Sequence, residues 1–294
     1  MTVNISASLV KELRERTGAG MMECKKALEA SCGDMERAIQ ELRKAGRTKA
    51  DKKAGRIAAE GMVTIAENGK RAAMIEVNCE TDFVARDVNF INFVKAVVKT
   101  ALETEVQSVS ALATLPLIGY GSQTIEEARQ ELVAKVGENI QIRRMVLSNQ
   151  TAALSTYTHG SRIGVMIELD QDNKALARDI AMHIAASRPL VITPEDVSQD
   201  ILAKEKEIYL AQAVTSGKPQ DIIEKMVSGR LKKYMDEISL SGQPFVKDPD
   251  VTVGALLNKN RIKVLAFYRY EVGEGIEKSS DDFKDAVMSQ VQGS

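Results

Sequence analysis

A short pattern that returns at a fixed distance constrains this chain more than any other feature. Met74-Ile75-Glu76-Val77 is followed, after seven residues, by Ala85-Arg86-Asp87-Val88. Met166-Ile167-Glu168-Leu169 is followed, again after seven, by Ala177-Arg178-Asp179-Ile180, a constant offset of 92. In each copy an apolar strand run feeds a longer helical pattern, and a further strand run closes the unit, Ile140 to Leu147 and Arg261 to Tyr270. In the first copy Met62 to Ala66 and Arg71 to Val77 flank Glu67-Asn68-Gly69-Lys70, and Asn-Gly is the strongest short hairpin signal. Gly160 answers Gly69 in the second copy, one residue out of step. The chain reads as an α+β protein with a duplicated strand-strand-helix-strand core, each copy burying a small sheet against helices.

Around that core the sequence divides into further segments. Residues 1–46 read as a three-helix bundle: Ser6 to Arg16, closed by Thr17-Gly18-Ala19-Gly20; Met21 to Ala30; and Met35 to Ala45, ended by Gly46. Leu9, Val10, Leu13, Ala27, Leu28, Ala38, Ile39 and Leu42 supply its core, and a bundle this small is marginal alone. Residues 47–60 carry Arg47, Lys49, Lys52, Lys53 and Arg56, a basic linker with some helical character. Residues 61–150 form the first half of the core, and 151–190 with 241–273 the second.

Residues 191–240 form an insertion in the second half, an antiparallel helical hairpin of Glu195 to Val214 and Gln220 to Ile238. Ile201, Ile208 and Ala211 are expected to face Ile223, Met226, Val227, Leu231 and Tyr234, and a protruding hairpin of this kind either mediates self-association or folds back on its own chain. Residues 274–294 form a C-terminal helical module with one helical pattern, Asp282 to Val291.

Charge and composition exclude several classes of function. Lysine plus arginine (40) nearly cancels aspartate plus glutamate (41), so no global field draws the chain to nucleic acid or an anionic membrane. Aromatics make up 4% of the residues and are not spread along a basic groove, as a stacking platform for single strands requires. No apolar run approaches the roughly 20 residues of a membrane span. The three cysteines form no Cys-x-x-Cys pair, and the first residues lack a signal-peptide layout, so a cytoplasmic protein is expected.

Nor does the sequence offer catalytic chemistry. There is no phosphate loop, no dinucleotide-binding glycine motif and no zinc spacing, so neither cofactor nor metal is expected, and an enzyme is not. His159 beside Gly160 reads first as a turn residue, since histidine tolerates positive φ better than most, and His183 as a core or half-buried histidine.

One stretch stands apart. Asn78 to Asp87 joins a strand run to a helical pattern expected to run from Phe83 to Leu102. Thr81 and Asp82 both suit a helix N-cap. Phe83 lies about 100° from the centre of the apolar stripe Val84, Val88, Ile91, Val98, Leu102. Three of the six phenylalanines fall between Phe83 and Phe93. The repeat separates scaffold from function, because Thr81-Asp82-Phe83 aligns with Asn173-Lys174-Ala175 in the second copy. A fold that can be built without an acid and an aromatic there does not require Asp82-Phe83. Met21 and Met22 sit at a glycine-rich turn and divide between core plugs, the reading favoured for one of them, and adaptable partner contacts.

These runs resemble the bacterial elongation factor Ts family, the guanine-nucleotide exchange factors of the translation GTPase elongation factor Tu. The resemblance extends from end to end. It includes the run Leu9 to Met22, the run Glu76 to Ala85, Gly137-Glu138-Asn139-Ile140, His159-Gly160, Ser216-Gly217-Lys218-Pro219, Ser241 to Phe245 and Glu271 to Ile276.

The resemblance implies a ubiquitin-associated-like N-terminal bundle, a coiled-coil dimerisation hairpin at 191–240 that would give a two-plus-two complex, and a C-terminal module. It implies that Thr81, Asp82, Phe83 and Val84 disturb the magnesium site of elongation factor Tu, with Asp82 and Phe83 as the wedge. His159 would press on the GTPase backbone near the phosphates, and Met21, Met22 and Lys25 would grip its nucleotide domain. Residues 103–125 depart from the pattern, being longer and more apolar than the family's connection. A non-catalytic adaptor for ubiquitin-like or peptide partners is the competing reading, and it has no use for Thr81-Asp82-Phe83. An RNA-binding ribosome accessory factor is opposed by the balanced charge.

Overall fold

The computed structural model describes residues 5–148, 153–214 and 219–277. They fall into two compact units, one built from the described parts of 1–66, 73–147 and 271–294, the other from 67–72 and the described parts of 148–270. The expected C-terminal helix Asp282 to Val291 and the turn at 216–218 lie outside the described residues.

The first unit begins with α1 (Ala7–Thr17), α2 (Met21–Ala30) and α3 (Met35–Lys53). It continues with β1 (Glu60–Glu67), β2 (Ala72–Cys79), α4 (Asp82–Ala85), α5 (Val88–Thr104), α6 (Val109–Ala113), α7 (Ile125–Val136) and β3 (Gln141–Leu147). Ser6 and Asp34 cap α1 and α3 by accepting from Leu9 N and Arg37 N, and Gly18 closes α1 at φ 68°. Val10, Leu13, Cys24, Ala27, Leu28 and Ala38 fill the core of the bundle.

The expected helix end at Gly46 is not there, and the first half of the expected linker, to Lys53, is helix. A mid-helix glycine costs about 1 kcal/mol relative to alanine. Packing outweighs that cost, because α3 runs beside α7 at this point. A Cβ on Gly46 would stand 3.6 Å from that of Ala134, and Ala50, one turn on, is 1% exposed within the main core.

The sheet of the first unit has the order β1-β2-β3, with β2 fully buried in the middle. Its core joins Ile75, Val77 and Cys79 to Phe90, Phe93, Val94, Val97, Val98 and Ala101 of α5 and to Ile125, Leu132 and Val133 of α7. Residues 103–125, longer and more apolar than the resemblance led one to expect, contribute to this core. Leu112 on α6 and Leu117 bury fully in this same core, which accounts for their apolar character.

The second unit contains β4 (Ala153–His159), β5 (Ile163–Leu169), α8 (Lys174–Ser187) and a single 3-10 turn, Pro194–Asp196. After these come α9 (Gln199–Val214), α10 (Gln220–Ile238), β6 (Pro244–Phe245), β7 (Asp248–Thr252), α11 (Val253–Asn260) and β8 (Val264–Glu271). Its sheet has the order β4-β5-β8, with β5 in the middle as β2 is in the first unit. α11 and the ribbon β6-β7 are additions that the strand-strand-helix-strand pattern did not contain, and Arg261, expected to open the last strand, is the left-handed cap of α11.

α9 and α10 pack through Tyr209, Leu210, Ala213, Ile223, Val227 and Leu231. Ile208 and Ala211, expected to face α10, are exposed. α9 begins at Gln199 rather than Glu195, because Thr193 and Asp196 close a capping box around the 3-10 turn. Apolar residues are scattered around α9, so periodicity could not single out its inner face.

The two copies share one architecture, with a difference that the sequence repeat hid. The central strands match at the offset of 92, both buried from methionine to the last apolar residue. The buried faces of the helices match at 83 instead: Leu176 over Phe93, Ala177 over Val94, Ile180 over Val97, Ala181 over Val98, His183 over Thr100 and Ile184 over Ala101. The first copy therefore carries nine residues between strand and buried helix that the second lacks. Val88, placed in the core by the sequence alignment, is 63% exposed.

His183 is fully buried and fastens the base of the hairpin insertion. Its Nδ1 accepts from Val246 N at 3.2 Å, which leaves Nε2–H to donate to Gln243 Oε1 at 2.9 Å. Gln243 Nε2 in turn donates to the backbone carbonyls of Glu237 and Ser187. Burial lowers the imidazole below its ordinary 6.5, opposed in part by the bond to Gln243. A folded-state value below the unfolded one means that acid favours the unfolded chain, so stability falls as pH drops through about 6.5. Urea unfolding is expected to show a lower midpoint near pH 5.5 than near pH 7.5, with a flatter profile in His183→Gln. An equal slope in that variant would assign the titration elsewhere.

Candidate functional site

The connection between strand and buried helix, residues 78–92 in the first copy against 170–175 in the second, contains the stretch that stood apart in the sequence. β2 ends at Cys79, and the chain turns outward before α5 begins at Val88. Thr81 N-caps the one-turn α4, its Oγ1 accepting from Val84 N at 3.4 Å. The expected continuous helix from Phe83 to Leu102 is broken at Arg86-Asp87. The Asp87 carboxylate accepts from Asn89 Nδ2, Asn89 N and Phe90 N at 2.9, 2.8 and 3.3 Å, starting α5 on a new phase. The side-chain bond from Asn89, with help from these amides, holds that carboxyl below its usual range despite some desolvation. The break leaves Val84 half-buried against the main core while Phe83 is 81% exposed. Asp82 lies beside it, half exposed and 3.0 Å from Arg86.

Three groups support this turn from beneath. Glu138, between α7 and β3, accepts from Glu80 N at 3.1 Å and Thr81 N at 3.0 Å through Oε2, and from Thr81 Oγ1 at 2.6 Å through Oε1. Glu80 returns the link, its Oε1 accepting from Asn139 N at 2.5 Å. Cys79 Sγ donates to Thr81 O at 3.1 Å. Burial, reinforced by the charges of Glu138 and Glu60, pushes that thiol up to about 12, so it stays a protonated donor. The end of α3 is tied to the same junction: Lys53 Nζ donates to Gly137 O, and Asn139 Nδ2 to the carbonyls of Ala54 and Arg56. Periodicity and composition gave no reason to single out Glu138. The acid in Gly137-Glu138-Asn139, just before a strand, was the one available signal.

The other expected contact residues lie elsewhere. Met21 and Met22 open α2 at 46% and 65% exposed, so neither is a core plug, and Cys24, Ala27 and Leu28 fill the bundle instead. Lys25 is exposed on the same helix, 3.9 Å from Glu29. His159 ends β4 in the second unit, exposed, with Nδ1 3.4 Å from Tyr157 Oη. Its expected role as a positive-φ turn residue is not realised, because Gly160 takes that conformation at φ 58°. Thr81, Asp82, Phe83 and Val84 are therefore brought together on one turn, Met21, Met22 and Lys25 on another element of the same unit, and His159 stands in the second unit. Among the described residues no group of three or more His, Cys, Asp or Glu side chains could hold a metal ion, and no helix is long and apolar enough to cross a membrane.

This arrangement defines an α+β scaffold of two sibling units, one of which presents a clamped acid-aromatic turn. A family model described as Elongation factor TS matches residues 80–274. A protein named Elongation factor Ts from Thioalkalivibrio sulfidiphilus is 57% identical over 295 residues, covering 99% of this chain and all of the relative. One of the same name from Legionella pneumophila is 54% identical over 290 residues, covering 98% of this chain and 99% of the relative. One from Halorhodospira halophila is 52% identical over 294 residues. The chain belongs to the elongation factor Ts family and is a translation elongation factor.

Proposed function

We propose that the protein is a guanine-nucleotide exchange factor that binds GDP-bound elongation factor Tu, disturbs its magnesium site and releases GDP so that GTP can enter. The observation that carries this reading is the Asp82-Phe83 pair, the ring exposed and the acid half exposed, set on a hydrogen-bonded turn that the sibling unit does without. Phe83 supplies an apolar wedge, and Asp82 an acid that hydrogen-bonds or repels where the metal is held. Mg²⁺ in such GTPase sites is held by few protein ligands plus the phosphates, so a modest displacement of those ligands loosens the whole nucleotide. The factor carries no nucleotide chemistry of its own and acts by differential binding. Whatever factor it takes from GDP affinity, GDP takes from its own affinity for the GTPase.

In this reading Met21, Met22 and Lys25, on a ubiquitin-associated-like bundle, and the C-terminal module grip the nucleotide domain. His159 presses on the backbone near the phosphates, and the 191–240 hairpin joins two copies. The protein works in the cytoplasm. Mixing it with elongation factor Tu loaded with fluorescent GDP, and chasing with excess unlabelled GDP, is expected to speed release by orders of magnitude. An unchanged release rate at saturating protein would refute the reading.

A further inference from the structure

We infer that Glu138 is the positioning residue of the exchange turn: its carboxylate sets the angle at which Asp82 and Phe83 leave the scaffold. The inference rests on the exchange reading above. Two backbone N–H groups and one hydroxyl, from consecutive residues, converge on a single half-buried carboxylate. Hydrogen bonds to an ionised acceptor are about twice as strong as neutral ones. The link is reciprocal, since Glu80 accepts from the backbone of the residue after Glu138. Thr81 is both the N-cap of α4 and a donor to the clamp, so the helix turn that carries Asp82 and Phe83 cannot tilt without breaking a bond to Glu138.

The sibling unit shows what the scaffold alone requires. There, among the described residues, the corresponding junction carries one carboxylate–amide bond, from Lys263 N to Asp170 Oδ1 at 2.7 Å, beside Asp170 N to Lys263 O at 3.1 Å and Gln171 Nε2 to Arg261 O at 3.3 Å, and the helix begins directly on its N-cap Asn173. The additional bonds in the first unit fall on the two residues that lead into the additional segment. Glu138 lies outside the apolar core, which β2, α5 and α7 close. A turn that must push on a partner gains from being fixed before contact, because misplacement of about 1 Å in a working group costs far more rate than affinity.

The test uses the full chain and elongation factor Tu loaded with fluorescent GDP, titrated with wild type, Glu138→Ala, Glu138→Gln and Phe83→Ala. Glu138→Ala is expected to lower the maximal release rate about tenfold while the half-saturating concentration stays within about twofold. Glu138→Gln retains one acceptor oxygen and is expected to fall between; it also serves as the test should the alanine variant fail to fold. In the free protein, amide exchange at Glu80 and Thr81 is expected to accelerate with the rest of the sheet unchanged. An unaltered maximal rate in both Glu138 variants, with Phe83→Ala impaired, overturns the positioning role and leaves the exchange reading standing. So does a loss of rate matched by an equal loss of binding and of unfolding midpoint, which marks a structural role only. Full stimulation by Phe83→Ala brings down the exchange reading itself.

Discussion

Phe83→Ala is expected to bind elongation factor Tu yet release its GDP about 10- to 100-fold more slowly than the wild-type protein at saturation. The magnitude follows from burial: moving a phenylalanine side chain from water into a protein interior contributes about 1.5–3 kcal/mol, and each 1.4 kcal/mol is a factor of ten. The same substitution should leave the free protein's stability within about 0.5 kcal/mol, because the ring is 81% exposed and supports no core cluster among the described residues. Stability and exchange are thus separated in one variant. Linkage adds a second readout: GDP should antagonise the binding of Phe83→Ala less than that of wild type, by the factor in equilibrium GDP affinity that the substitution restores. Stopped-flow fluorescence gives the rate, and titration with and without GDP gives the coupling. A variant that unfolds earlier or stimulates fully would place the ring in the scaffold or outside the interface.

Glu76→Ala is expected to cost about 3–5 kcal/mol of unfolding free energy, read by chemical denaturation. Glu76 is fully buried in the central strand and is paired on every side. It accepts from Arg144 Nε at 2.5 Å, Gly273 N at 2.8 Å, and Arg143 Nη1 and Asn78 Nδ2 at 3.1 Å. Burial works against the charge on Arg144, but the hydrogen bonds and charges of Glu76 and Glu274 hold its guanidinium above its ordinary value. Removing one partner of such a network leaves the others desolvated and uncompensated, which costs more than the network contributed. The loss also frees residues 272–274, whose turn is fitted closely: a Cβ on Gly273, at φ 73°, would stand 2.3 Å from Ala59 O. Glu76→Gln, which keeps an acceptor of the same shape, should lose less. A Glu76→Ala protein with an unchanged midpoint would mean that water replaces the carboxylate without penalty.

The sequence showed the duplicated core because the central strands of both units are buried on both faces and tolerate few residue types. It misplaced the helix that follows, because Ala-Arg-Asp recurs by chance of spacing across a segment nine residues longer in one copy. Local capping by Asp87, a two-residue event, decides where α5 starts, and it outweighs the helical periodicity on either side. Gly46 misled for the opposite reason: a strong local stop signal was overridden by packing against α7. Asp82 and Phe83 were legible because they break the repeat. Glu138 was not, because its partners are the backbone amides of residues 57 and 58 positions away, and no residue pattern encodes an amide.

The most direct measurement replaces Phe83 with the photoreactive aromatic p-benzoylphenylalanine and irradiates the protein in complex with nucleotide-free elongation factor Tu. A wedge predicts one dominant cross-link, mapped by mass spectrometry to the nucleotide domain beside the magnesium and phosphate site. An intact complex in which position 83 yields no cross-link, or one to a distant surface, would contradict it.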